Sequence, residues 1–386
     1  MHLSFLGLVD FRSYAQAQIA LEPGATVIVG LNGQGKTNLI EAIGFLASQS
    51  SHRVAKDTPL VRSGAERAIV SGRVQWQDRE QSVELEINAT GANRARVAGA
   101  PRRPRDALGI LRAVLFAPED LALVKGDPAG RRRFIDDLLV AMTPRYAGVL
   151  ADLDRVVKQR SALLKSAAVA RRRGSSSIGV GETLAVWNDQ LAHLGATITA
   201  ERLRILSLLA DPLAQSYQAV APGSAPAAVG YASSWWAASA LLTTSAPTPD
   251  LNDLRDALLT AMAAREREEL ERGMTLVGPQ RDDLLFTLGD LPVKGYASHG
   301  ESWSVALALR LASYRILADG LENGGDPVLL LDDVFAELDE QRRLRLAELV
   351  GPAEQVLVTA AVAADVPAAL RGRSLSVVRN GESEVS

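Results

Sequence analysis

The chain has 386 residues, 42 Lys and Arg against 45 Asp and Glu, a net charge of −3, 47% hydrophobic residues and no cysteine. That length can bury a full core and suits one large domain carrying an insertion, and the lack of cysteine excludes disulfides and thiolate zinc sites. No apolar run approaches the roughly 18 residues of a membrane span, and the slightly acidic balance excludes a wholly basic nucleic-acid coat, so any DNA contact is a local patch. The opening residues Met1-His2-Leu3-Ser4-Phe5-Leu6 lack the basic start and long apolar stretch of a secretory signal, which makes a cytoplasmic location the expectation.

Leu3 to Val9 and Ala17 to Leu21 predict two strands around a polar turn, Asp10-Phe11-Arg12-Ser13-Tyr14. Arg12 in that turn either lies over a bound nucleotide or is simply solvated. The next stretch is Thr26-Val27-Ile28-Val29, a short β-branched run fit for a buried strand. It leads into Gly30-Leu31-Asn32-Gly33-Gln34-Gly35-Lys36-Thr37, which fits the G-x-x-x-x-G-K-[ST] phosphate loop without a mismatch. Asn38 to Leu46 follows with helical apolar spacing. Strand, glycine loop and helix thus stand in the order that nucleotide binding requires. Glycines let backbone N–H groups turn inward around phosphates, and the helix start adds its positive dipole end. Lys36 reaches the β- and γ-phosphates and Thr37 can ligate Mg²⁺.

Ala68 to Trp76 and Ser82 to Ile87 alternate, with Val83, Leu85 and Ile87 on one face and Glu84 and Glu86 on the other, which predicts an antiparallel, half-solvated sheet. Asn93 to Arg105 carries arginines at 94, 96, 102, 103 and 105 and is expected to be a solvated loop or a phosphate contact. From Gly130 the period changes from 2 to 3.6. Phe134, Ile135, Leu138, Leu139 and Met142 recur at helical spacing, as do Leu150, Leu153, Val157 and Leu164, and then Leu184, Trp187, Leu191, Leu194 and Ile198. These helices predict a short antiparallel arm, its tip near Arg171-Arg172-Arg173 and the serine-glycine run after them. Ala219 to Pro249 is either a loose hairpin or a disordered loop, in which Trp235 and Trp236 are expected to pack. Leu251 to Arg272 is a further helix.

Val328-Leu329-Leu330-Leu331-Asp332-Asp333 is an apolar strand ending in two carboxylates, the pattern of a Walker B strand. Asp332 stands where a carboxylate holds Mg²⁺ and Asp333 where one can polarise the attacking water. Roughly 300 residues separate it from Lys36, so something long must be inserted between the two nucleotide elements. Before it, Tyr296-Ala297-Ser298-His299-Gly300-Glu301-Ser302 opens a helix with a small, hydroxyl-bearing turn suited to an anion.

The order of phosphate loop, helical insertion, Ser-x-Gly-Glu turn, Leu-Leu-Leu-Asp-Asp and Glu337-Leu338-Asp339 resembles the split ATP-binding-cassette head of SMC-type proteins. Asn32 to Asn38, Ser51-His52-Arg53, Phe116 to Leu121, Arg131 to Asp136, Gly278 to Asp283 and Leu331 to Asp333 resemble the motifs of the RecF family along nearly the whole chain. The resemblance implies an α/β head of the P-loop NTPase type with a mixed sheet, formed by residues 1–125 and 275–386 and split by a helical arm at 126–274. It implies ATP and Mg²⁺ as cofactors, a homodimer closed by ATP, slow DNA-dependent hydrolysis, and binding to double-stranded or gapped DNA in recombinational repair with RecO and RecR. Ser298, Gly300 and Glu301 resemble the signature turn that contacts the γ-phosphate on the other protomer, and Glu337-Leu338-Asp339 resembles the D-loop. His299 and Glu301 stand where glutamines are expected, Gln280 where a histidine is, and no histidine follows Val356 to Ala361 as in transporter cassettes. A transporter-type ATPase subunit and a nucleotide-binding protein without turnover are the alternatives. For DNA, the candidate contacts are Arg102, Arg103 and Arg105, then Arg131, Arg132 and Arg133, with the 171–173 cluster behind them.

Overall fold

The structure is a computed structural model, and it describes residues 1–172, 180–236, 249–320 and 325–386. Arg173 and the serine-glycine run of the expected arm tip lie outside the described residues, as does 237–248.

The first part of the chain gives β1 (His2–Phe11), β2 (Tyr14–Ala20), β3 (Gly24–Val29), α1 (Lys36–Ser48), β4 (Arg67–Trp76), β5 (Arg79–Asn88), β6 (Arg94–Val97), β7 (Ala100–Arg102) and β8 (Ala113–Phe116). The middle supplies α2 (Leu121–Lys125), α3 (Pro128–Met142), α4 (Tyr146–Arg172), α5 (Val180–Val220), β9 (Ala227–Ala232) and α6 (Leu251–Arg272). The last part adds β10 (Asp283–Leu288), β11 (Leu291–Pro292), α7 (Val293–Tyr296), α8 (His299–Asp319), β12 (Val328–Leu331), α9 (Glu340–Val350), β13 (Gln355–Ala360), β14 (Arg373–Asn380) and β15 (Glu382–Val385).

Two six-stranded sheets enclose α1. In one, β14, β3, β13, β12 and β8 run parallel side by side, with β15 antiparallel at the edge. All residues of β12 and β13 are buried, as expected of parallel strands covered on both faces. The other sheet is antiparallel, ordered β2-β1-β4-β5-β6-β7. Its alternation is the one the sequence predicts, with Val83, Leu85 and Ile87 buried. Leu39, Ile40, Ile43 and Leu46 of α1 fill the space between the sheets, against Leu8, Phe11 and Val70 on one side and Ile28 and Leu330 on the other. The mixed α/β head is therefore assembled from both ends of the chain around the phosphate-loop helix.

The arginine-rich stretch from Asn93 differs from the expected loop. It forms β6 and β7, because Arg94 and Arg96 stand directly across from Glu86 and Glu84 in the register, and opposite charges facing across a strand pair favour pairing.

The inserted helices share one continuous core with α8, β12 and β13. The end of α5 docks on the head, where Arg345 donates to the Val220 carbonyl, while its start joins α4 and α6. This 41-residue helix thus reaches from α4 and α6 at its start to α9 at its end. Between α4 and α6, Arg160 and Glu269 form an ion pair with both side chains wholly buried, and Asn188 and Thr275 take further guanidinium N–H groups. Strand β9, which the sequence leaves ambiguous, pairs antiparallel with β10 and ties the insertion back to the head. Trp235 packs there as expected, with its indole N–H donating to Asp282.

Candidate nucleotide-binding site

Strand β3 delivers the phosphate loop to the carboxyl edge of the parallel sheet, where ligands sit in open α/β folds. Leu31 to Gly33 are exposed, whereas Lys36 is buried and Thr37 and Asn38 are half-buried. Two loop glycines have clear backbone reasons. Gly35 has φ of 118°, and a Cβ there would meet the Ser383 hydroxyl at 2.6 Å; a Cβ on Gly30 would meet the Val377 carbonyl oxygen at 2.4 Å. The loop is braced from behind. Tyr14 donates to the Gly35 carbonyl, Ser383 Oγ lies 2.5 Å from the Gln34 carbonyl oxygen, and Asn38 donates to Ser13 Oγ. No side chain caps the start of α1, which leaves its first N–H groups and its dipole facing the loop. The Lys36 ammonium donates to the Gly30 carbonyl at 2.8 Å, so its charge sits at the loop mouth.

Strand β12 brings Asp332 to the same edge. Thr37 and Asp332 are 295 residues apart, yet the Thr37 hydroxyl donates to Asp332 Oδ1 at 3.1 Å. Both are hard oxygen donors, a set that fits Mg²⁺ bound jointly by protein and phosphate. Asp332 is buried, and that burial pushes its carboxyl up to about 6, with Asp333 and Glu119 adding like charge while the Thr359 and Thr37 hydroxyls oppose the shift. Asp333 next to it adopts a left-handed backbone with φ of 49°. Sequence reasoning missed Thr359 and Glu119, since one looks like an ordinary strand residue and the other belongs to a motif with no evident chemistry.

Arg12 takes a different partner from the nucleotide considered above. It also has positive φ, and its guanidinium grips the buried Glu41 of α1 in a bidentate pair at 2.6 and 2.7 Å. Ser51 donates to the same carboxylate and Arg53 flanks it, which accounts for two residues of the Ser51-His52-Arg53 motif. Burial alone would raise the Glu41 pKa, but the Arg12 and Ser51 hydrogen bonds and the charges of Arg12 and Arg53 hold it below its ordinary 4.5.

The arginine clusters separate. Arg131 is buried in a bidentate pair with Asp283, so it is withdrawn from any phosphate, and Arg132 donates to the Asp282 carbonyl. Arg133 is about half exposed and pairs with Asp137. Asp136 instead pairs with Arg202 of α5. Arg102, Arg103 and Arg105 are exposed, with Arg103 near Asp106. Arg105 and Arg133 line one cleft of about 660 Å³.

The signature turn closes the start of α8 with a reciprocal capping box: Ser298 Oγ accepts from the Glu301 N–H and Glu301 accepts from the Ser298 N–H. Glu301, where a glutamine was expected, is thus a cap whose carboxylate these hydrogen bonds keep below its usual range. Ser298 and His299 are exposed, and Gly300 is half-buried. Behind the turn, Arg342 donates to Ser304 and pairs with Asp339 of the D-loop, which ties signature turn and D-loop into one unit.

Together the fold and the site define an ATPase head of the SMC type. The RecF/RecN/SMC N-terminal domain description matches residues 2–384. The chain is 56% identical over 379 residues to the DNA replication and repair protein RecF of Streptomyces avermitilis, covering 98% of each, and 58% identical over 385 residues to that of Frankia alni, covering 99% of each. It is also similar to the solved structure of the recombination mediator protein RecF in the RecFOR pathway with ATP, with a TM-score of 0.84 and 26% identity over 100% of this chain and 99% of that one. A Pyrococcus furiosus Smc head, 18% identical with a TM-score of 0.54, shares the fold, covering 100% of this chain and 96% of that one. The chain belongs to the RecF family.

The Glu41 cluster gives a stability expectation. Glu41→Gln leaves Arg12 without its counter-charge and costs about 3 kcal/mol. Because the wild-type carboxylate is held below 4.5, that advantage is complete above pH 4.5 and fades as pH falls further. Urea unfolding of both proteins from pH 7 to pH 3.5 measures the gap, and a gap that widens on acidification contradicts the assignment.

Proposed function

We propose that this chain is an ATP-gated DNA clamp of recombinational repair and replication restart, working on double-stranded or gapped DNA near single-strand junctions. The observation that carries this reading is the meeting of Thr37 and Asp332 beneath the phosphate loop, in a chain whose signature turn is exposed on the surface. The repair role of its relatives supports this reading, and the RecFOR pathway of the similar solved structure supports RecO and RecR as partners. The transporter-type alternative is not favoured, because the relatives are repair proteins.

In this reading residues 1–125 and 275–386 form the ATPase head, and 126–274 form the arm. Gly30, Leu31, Asn32, Gly33, Gln34 and Gly35 wrap the phosphates with backbone N–H groups, Lys36 neutralises the β- and γ-oxygens, and Asn38 holds the loop through Ser13. Thr37 and Asp332 hold Mg²⁺, which neutralises phosphate charge when bound. Asp333 orients and polarises the attacking water. Ser298, Gly300 and Glu301 of a second copy complete the site across a two-fold interface, so ATP favours the closed homodimer and hydrolysis releases it. ATP shifts that equilibrium because it meets groups in the dimer that the monomer does not offer. Hydrolysis is slow and stimulated by DNA.

DNA lies along the exposed Arg102, Arg103 and Arg105, with Arg133 contributing across the shared cleft; Arg131 and Arg132 position the helices instead. Phosphate contacts release counterions and read no bases, so binding is sequence-independent, salt-sensitive and strengthened when closure doubles the contacts.

Two experiments test this function. Lys36→Ala abolishes ATP binding, whereas Asp333→Asn keeps binding and slows hydrolysis at least ~100-fold, because it removes the water-orienting charge and leaves the phosphate cradle. Nucleotide binding and phosphate release measured on both variants separate the two roles, and wild-type turnover in Asp333→Asn contradicts the assignment. Replacing Arg102, Arg103 and Arg105 together by Ala lowers the slope of log affinity against log salt by about 0.9 for each arginine that touches phosphate. An unchanged slope in duplex-binding titrations places the DNA elsewhere.

A further inference from the structure

In the parallel sheet β13 lies between β3 and β12, touching both nucleotide-binding strands. The register pairs Leu331 with Val358 and Ile28 with Thr359, so Thr359 is level with Asp332, one step beyond the last paired residue of β12. The strand grips both elements at this level. The Ala360 carbonyl accepts from the Gly30 N–H, at the entry to the phosphate loop. Thr359 itself is buried, and its hydroxyl has two partners: it donates to Asp332 Oδ1 at 2.6 Å and accepts from the Asp333 N–H at 2.9 Å.

The direction of these bonds is fixed by chemistry. A backbone N–H only donates, so the Asp333 amide takes a lone pair of the hydroxyl and leaves its proton for the Asp332 carboxylate. One oxygen therefore sets two things. It restricts the rotamer of Asp332, whose Oδ1 also accepts from Thr37. It also pins the amide of Asp333, a non-glycine residue in the left-handed region that needs an outside hold to stay there.

We propose that Thr359 is a positioning residue for ATP hydrolysis: its hydroxyl holds Asp333 in the left-handed backbone that aims its carboxylate, and orders Asp332 at the same time. The proposal rests on Asp332 and Asp333 serving hydrolysis as argued above. Thr359 touches neither phosphate nor water in this role and acts only through the two acids. A hydroxyl is required, and the methyl group is dispensable. Serine can therefore replace threonine, while valine, of nearly the same shape, cannot.

The test compares Thr359→Val, Thr359→Ser and Asp333→Asn in the full chain with DNA present. Thr359→Val should lower kcat ~30- to 100-fold, the scale of a misplaced group near reacting atoms, with KM and the affinity for a non-hydrolysable ATP analogue within about threefold of wild type. Thr359→Ser should recover kcat to within about fivefold of wild type. Equal losses in the serine and valine variants would make the effect one of packing and overturn the proposal, as would loss of analogue binding together with turnover. If Thr359→Val unfolds, the serine variant still decides, since a folded Thr359→Ser with kcat as low as Asp333→Asn contradicts a role for the hydroxyl. A slow Asp333→Asn beside a wild-type-rate Thr359→Val removes the role of Thr359 alone, whereas a wild-type-rate Asp333→Asn removes the carboxylate assignment beneath it.

Discussion

The parallel pairing of β3, β13 and β12 is the constraint on which the rest of the molecule depends. Their carboxyl ends form one edge, so the phosphate loop and the Walker acids meet although nearly the whole chain separates them. A slip of one residue in either pairing would turn Asp332 or Thr359 to the wrong face, because side chains alternate along a strand. The apolar runs of β12 and β13 resist such a slip, since every residue on them is buried. The site is therefore built by sheet register before any polar contact is made, and the polar contacts then refine it.

Around the site, ion pairs staple distant segments. Arg12 and Glu41 fasten the first hairpin to the phosphate-loop helix, Arg131 and Asp283 fasten α3 to β10, and Arg202 and Asp136 fasten α5 to α3. Buried pairs of this kind add little net stability over an apolar contact, but losing one partner is costly, so each discriminates against misdocked helices. Arg310 and Asp120 do the same between α8 and the segment after β8, and thus connect the signature helix to the head's interior. The signature turn and D-loop are joined by Arg342.

Much of this was legible in the sequence because local chemistry specified it. The phosphate loop needs its glycines at fixed offsets, the Walker strand needs an apolar run before its acids, and the antiparallel sheet announces itself by alternation at Val83, Leu85 and Ile87. Long-range pairing was not legible. Arg94 and Arg96 looked like a solvated loop because their partners, Glu84 and Glu86, lie across a turn and become opposite only in register. Arg131 looked like a phosphate contact because nothing local announces Asp283, 152 residues away. For Arg12 the sequence offered a nucleotide or solvent, because nothing local announces its pairing with Glu41 on the phosphate-loop helix. Thr359 was invisible for the same reason: a threonine in a β-branched strand carries no signal until the neighbouring strand brings Asp332 beside it.

The central claim is that two copies share each ATP, one supplying the phosphate loop and the other the signature turn. Lys36→Ala destroys the loop and leaves the turn intact, while Ser298→Arg fills the exposed turn and leaves the loop intact. A two-fold dimer of the mixed pair retains one complete composite site. Sedimentation velocity with ATP and Mg²⁺ on each variant alone and on their equimolar mixture tests this directly. The account predicts monomers for each variant alone and dimers in the mixture. Dimers of Ser298→Arg alone, or a mixture that stays monomeric while the wild type dimerises, would contradict it.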